Sequence, residues 1–193
     1  KNRKIRNVFI ATPPKNNFKI LNQLVKSKKN VLVEKPGLTL VKQYKKLKKL
    51  SKKYKNKVMF GYIYIYNNYI TYIKKIIKSK KLGNIKYINF QRQNFGPIRN
   101  KVSTIYDLAT HDISILTYLL KTHPRTVRTI KAQNIKKNIC DRVYINLKYN
   151  KNLNVLIKNS WISPTKVRLI KIKFQKAILY CDENESLYKI KIY

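Results

Sequence analysis

The stretch NVLVEKPGLTL, Asn30 to Leu40, decides how the rest of the chain is read. Its apolar run Val31-Leu32-Val33 has the composition of a buried strand. The run stops at Glu34-Lys35-Pro36: a carboxylate, an ammonium and a residue without an N–H, in succession. A strand end with solvated charges would read this way. So would a strand that delivers those groups to a site. Upstream, NVFIAT (7–12) is a second buried strand and ends in a comparable way, at Ala11-Thr12-Pro13-Pro14. Between the two, NNFKILNQLVKSKK places Phe18, Leu21, Leu24 and Val25 at helical spacing. Downstream, LVKQYKKLKKLSKKY puts Val41, Tyr44, Leu47, Leu50 and Tyr54 on one helical stripe, and KVMFGYIYIY reads as a third strand reaching Tyr66. Strands and helices alternating over short links predict a parallel sheet with right-handed crossovers. In such sheets ligands bind beyond the carboxyl ends of the strands, where ATPP and EKPG lie.

After Tyr66 the pattern changes. A helix is predicted over 68–79, a turn at Leu82-Gly83-Asn84, an alternating strand at IKYINFQRQNFG, and a helix over 105–121. From Arg125 to Tyr193 strand-like runs follow one another, which predicts an open, mainly antiparallel sheet. The fold class is therefore α/β plus α+β, with an α/β unit over 1–66 and an α+β unit over 67–193.

The net charge of +38 suggests nucleic acid at first sight. Lysine, however, outnumbers arginine 37 to 8, whereas phosphate and base recognition favour the planar arginine fork. Lysine, asparagine, isoleucine and tyrosine share A/T-rich codons, and glycine, with G/C-rich codons, occurs four times in 193 residues. Base drift accounts for all of these biases together, and the lysines spread over every helix face. No specific nucleic-acid partner is expected. Cys140 and Cys181 match no disulfide framework and no zinc spacing, so no metal is expected and both thiols read as inert. No apolar run approaches the length of a membrane span and no signal-peptide pattern opens the chain, so the expected setting is cytoplasmic.

Two groups of residues carry chemistry. Lys35, at a strand end between Glu34 and Pro36, can hold a hydroxyl or tune proton transfer. In YDLATHDIS, Asp107 and His111 are four apart and share a helix face, where a carboxylate can orient an imidazole. A salt-bridged loop lysine, a capping aspartate and a structural histidine are the bland readings of the same residues. His123, in KTHPRT, reads as an exposed turn residue.

Taken in order, VFIATPP, VLVEKP, GYIYIYN, YDLATHDISIL and SWISPTKVR resemble the Gfo/Idh/MocA oxidoreductase family along essentially the whole chain. The resemblance implies the C-terminal part of a Rossmann domain followed by an α+β domain whose open sheet often makes oligomer contacts. It implies NAD or NADP as cofactor, lying along Ala11, Thr12, Pro13, Glu34, Lys35 and Pro36, and a cis Lys35–Pro36 bond. It implies a sugar or nucleotide-sugar substrate, with Lys35, Asp107 and His111 catalytic and His111 as acid/base. Arg92, Asn94 and Arg99 are candidate substrate contacts, and Arg168 an equally good candidate for bracing the sheet. The chain departs from the family pattern in having no G-x-G-x-x-G phosphate loop and in stopping before the usual terminal helices, so it reads as a piece truncated at both ends. A non-catalytic remnant that only pairs with another subunit stays open as an alternative, and a basic nucleic-acid module ranks last.

Overall fold

The computed structural model describes residues 4–99, 102–135, 137–150 and 152–193. The chain divides into two compact units, 1–62 and 63–193.

In the first unit, strands β1 (Asn7–Ile10), β2 (Asn30–Glu34) and β3 (Val58–Gly61) form a parallel sheet in the order β1-β2-β3. Helices α1 (Pro14–Lys26) and α2 (Val41–Tyr54) make the two crossovers. Strand alternation sorts the side chains. Ile10, Val31 and Val33 are buried with Leu21, Val25 and Leu47 of the helices. Phe9, Leu32 and Met59, level with one another across the sheet, point to the opposite face and are exposed.

The predicted third strand stops at Gly61, five residues short of Tyr66. Ile63–Tyr66 forms a 3₁₀ turn. Tyr64 of that turn packs against the core of the second unit, which sets the boundary after Tyr62 and not after Tyr66.

The second unit contains helices α3 (Asn68–Ser79) and α4 (Thr110–Leu120) and strands β4 (Ile85–Phe95), β5 (Thr126–Ala132), β6 (Arg142–Lys148), β7 (Asn154–Ser160), β8 (Ile162–Phe174), β9 (Ile178–Asp182) and β10 (Ile190–Ile192). The seven strands form one sheet in the order β10-β9-β8-β4-β7-β6-β5. Only the β4–β7 pair is parallel; the others are antiparallel, as the run of successive strands predicts. Ile70, Ile73, Ile115 and Leu116 of the helices close a core with Ile88, Phe90, Ile157, Ile170 and Ile172 of the sheet. Among the described residues no helix is long and apolar enough to cross a membrane.

The helix ends show what glycine scarcity does to a fold. Each α-helix is followed within two residues by a lysine in the left-handed region: Lys28, Lys55, Lys80 and Lys121, with φ of 56°, 53°, 56° and 55°. Glycine normally fills that position, and an L-residue there costs on the order of 1 kcal/mol. Lys80→Gly is therefore expected to raise stability by about 0.5–1 kcal/mol, read as a higher urea midpoint. The cysteines give a second expectation. Both are buried and unpaired, and burial, aided by Glu183 and Asp182, pushes the Cys181 thiol up to about 12. At pH 8 roughly one part in 10⁴ is thiolate, so Cys181 should react with a thiol reagent only on unfolding.

Candidate active-site residues

The residues marked out by sequence fall in two groups, one in each unit. In the first, the turns after β1 and β2 leave neighbouring parallel strands, with Ile10 level with Val33. Asn17, in the first turn of α1, ties the two turns together. Its side chain is buried; its Oδ1 accepts the Thr12 hydroxyl at 2.7 Å and its Nδ2 donates to the Gly37 carbonyl at 3.0 Å. The Lys35 N–H donates to Glu34 Oε2 at 3.0 Å, and the Tyr44 hydroxyl donates to the Pro36 carbonyl at 2.8 Å. The Lys35–Pro36 bond is cis. Gly37 has φ +70°, and a Cβ there would lie 2.4 Å from the Phe60 ring, so this position requires glycine. Ala11, Thr12 and Pro13 are exposed and Lys35 is half-buried.

In the second unit, the predicted helix over 105–121 is not α-helical throughout. Ile105–Ala109 is a π-helical turn, in which the Thr110 N–H reaches the Ile105 carbonyl. Asp107 sits inside that turn and His111 just after it, at the start of α4. Such insertions recur at functional sites. Both side chains belong to residues only 9% exposed. Asp107 Oδ2 accepts the Trp161 indole N–H at 3.2 Å and lies 3.4 Å from Arg99 Nε. The His111 imidazole meets the Tyr64 ring edge-on, centroids 4.7 Å apart and planes 69° apart.

The three proposed substrate contacts separate here. Arg92 is deeply buried: its side chain is 3% exposed and held by two carboxylates and a ring. Its Nε lies 3.0 Å from Asp112 Oδ1, its Nη2 2.9 Å from Glu183 Oε1, and its guanidinium 4.4 Å from the Tyr64 ring centre. Asp112 also accepts from Asn159 Nδ2 at 2.7 Å. Burial works against the Arg92 charge, and the two carboxylates more than offset it, so its pKa is raised. Asn94 is half-buried and braced as well; its Oδ1 accepts from Arg168 Nη2 at 2.6 Å and its Nδ2 donates to the Gly96 carbonyl. Arg168 further donates to the Gln93 carbonyl at 2.8 Å, in the sheet-bracing role. Arg99 alone of the three remains half-exposed, at 53%. Sequence reasoning missed Asn17, Tyr64 and Glu183, none of which lies in a run with a chemical signature. Among the described residues no group of three or more His, Cys, Asp or Glu side chains could hold a metal ion.

Family comparison matches residues 1–62 to an oxidoreductase family domain with an NAD-binding Rossmann fold and residues 70–183 to the GFO/IDH/MocA C-terminal domain. The chain belongs to the GFO/IDH/MocA oxidoreductase family. Solved structures agree on the fold. A UDP-N-acetylglucosamine 3-dehydrogenase from Acidithiobacillus ferrooxidans superposes with a TM-score of 0.85 at 20% identity, over 98% of this chain and 61% of its own. An inositol dehydrogenase homologue from Azotobacter vinelandii, complexed with NADH and myo-inositol, gives 0.86 at 16% identity, over 98% of this chain and 56% of its own. GenD2 from gentamicin A biosynthesis, in complex with NAD, gives 0.87 at 16% identity, over 94% and 55%. The chain thus spans a little over half the length of these structures. A search of curated proteins returns no significant match.

The strand-end residues suit one part of a dinucleotide. The exposed Thr12 hydroxyl, whose proton goes to Asn17, can accept from a carboxamide N–H or a ribose hydroxyl, and the half-buried Lys35 ammonium on the neighbouring turn can donate to an amide carbonyl. The only glycines of residues 1–62 are Gly37 and Gly61, so these residues form no glycine-rich phosphate cradle.

Replacing Arg92 tests its reassignment. Arg92→Met leaves two buried carboxylates facing an apolar side chain and should cost about 3–5 kcal/mol in urea unfolding. A substrate contact on an open surface would cost almost nothing.

Proposed function

We propose that this chain is part of an NAD- or NADP-dependent oxidoreductase that oxidises a hydroxyl of a sugar or nucleotide sugar. The observation that carries the reading is that a buried aspartate and a buried histidine, Asp107 and His111, lie at a π-distorted helix start, in a chain whose first 62 residues match an NAD-binding Rossmann domain. A bound nicotinamide supplies the hydride acceptor.

The roles of the protein groups follow from their chemistry. An imidazole nitrogen of His111 accepts the proton of the substrate hydroxyl as the C–H bond breaks. His111 is only 9% exposed, and a low local dielectric strengthens any hydrogen bond its imidazole makes. Asp107 is held by Trp161 and Arg99, and as a carboxylate it stabilises the imidazolium that proton uptake creates. The Lys35 ammonium orients the hydroxyl and stabilises negative charge developing on its oxygen. Arg99, charged and half-exposed, is the substrate contact best placed to meet an anionic substituent such as a nucleoside diphosphate. The UDP-N-acetylglucosamine 3-dehydrogenase and the inositol dehydrogenase homologue named above support the substrate class, and the NADH of the latter and the NAD of GenD2 support the cofactor.

In a protein that includes a complete dinucleotide-binding half, His111→Ala and Lys35→Ala are each expected to lower turnover by roughly 10²–10⁴-fold. Turnover is followed by nicotinamide absorbance and cofactor affinity by titration. Affinity should survive His111→Ala better than Lys35→Ala, because Lys35 belongs to the Rossmann unit. Full sugar turnover in His111→Ala would overturn the assignment of the base.

A further inference from the structure

Histidine χ2 is a soft torsion, so neighbours and not rotamer preference fix the plane of a catalytic imidazole. One such neighbour of His111 is Tyr64. It lies on the Ile63–Tyr66 turn, whose end residues Ile63 and Tyr66 are 61% and 62% exposed, while Tyr64 is drawn in against the core. Its ring meets His111 at 4.7 Å in a T-shaped arrangement, inside the favoured range for such pairs.

What holds Tyr64 is as informative as what it touches. The Arg92 guanidinium stacks 4.4 Å from the Tyr64 ring centre. A cation over an aromatic ring is attracted by its quadrupole, most strongly when desolvated. Arg92 cannot drift, because Asp112 and Glu183 grip it at 3.0 and 2.9 Å from two different elements, α4 and the end of β9. Asp112 is one residue beyond His111 on α4. The same helix thus carries the histidine and one anchor of the cation that steadies the histidine's neighbour.

We propose that Tyr64 is a positioning residue that sets the plane of the His111 imidazole, and that Arg92 clamps Tyr64 for that task. The proposal rests on His111 as the acid/base; its contact geometry can be tested without turnover. It differs from simple packing in what it demands of the side chain. An aromatic ring is required, whereas the hydroxyl is not.

The chain holds two histidines, His111 and the exposed His123, so ring-labelled histidine gives two sets of NMR signals, one of them an internal reference. Tyr64→Phe should leave the His111 ring signals in place. Tyr64→Leu should move and broaden them, through loss of the ring current and of the fixed plane, with His123 unmoved. Tyr64→Met, unbranched and more adaptable in packing, is the second variant should Tyr64→Leu fail to fold. In the complete enzyme, Tyr64→Leu should lower kcat by roughly 10- to 10²-fold with KM little changed, and Tyr64→Phe should restore it. Unmoved His111 signals in Tyr64→Leu and Tyr64→Met would overturn the proposal, as would a Tyr64→Phe variant as slow as Tyr64→Leu. Failure of the acid/base reading shows separately, as turnover that survives His111→Ala while the signals still respond to Tyr64.

Discussion

A guanidinium taken out of water must be neutralised where it lies, and Arg92 is neutralised from two directions. Asp112 reaches it from α4 and Glu183 from the end of β9, while Arg92 itself projects from the central strand β4. One buried charge therefore cross-links the sheet, the helix above it and the strand end beside it. A buried ion pair adds little net stability over an apolar contact, but it penalises wrong arrangements heavily. The second unit uses that property to fix the register of α4 over the sheet, and with it the placement of His111 and Asp107.

Most of the architecture could be read from periodicity. The alternation of Ile88, Phe90 and Arg92 with Asn89 and Gln91 marked β4, and the stripe of Val41, Tyr44 and Leu47 marked α2. Two features were not legible. The π-helical turn at Ile105–Ala109 inserts one residue without breaking the apolar pattern, so a run over 105–121 looked like an ordinary helix. Arg92 read as a candidate substrate contact, because a lone arginine in an alternating strand says nothing of the acids that meet it. Asp112 and Glu183 lie 20 and 91 residues away in sequence. Likewise Asn17 had no visible partner until the turns holding Thr12 and Gly37 came together. Local pattern reports which face is buried; it does not report long-range polar pairing.

Composition leaves its mark at particular backbone positions. Four helix ends accept lysine in a conformation suited to glycine, each at a modest energetic cost. Gly37 could not be spared in the same way, because its Cα faces the Phe60 ring with no room for a methyl group. The turn after β2, with Pro36 and Gly37 beside Lys35, is therefore a tightly constrained short segment.

Trp161 is the only tryptophan in the protein, fully buried, with its indole N–H 3.2 Å from the Asp107 carboxylate. An indole excited state is sensitive to charge along its long axis, and this one has a carboxylate at its nitrogen end. Excited at the red edge, where the fifteen tyrosines do not absorb, the emission of this chain originates from one ring in contact with one candidate active-site acid. Any event that moves Asp107, or places a new cation or dipole near it, is written into the colour of that light. The fold carries its own optical probe of the site, with no label attached and no second fluorophore of its kind to confuse the signal.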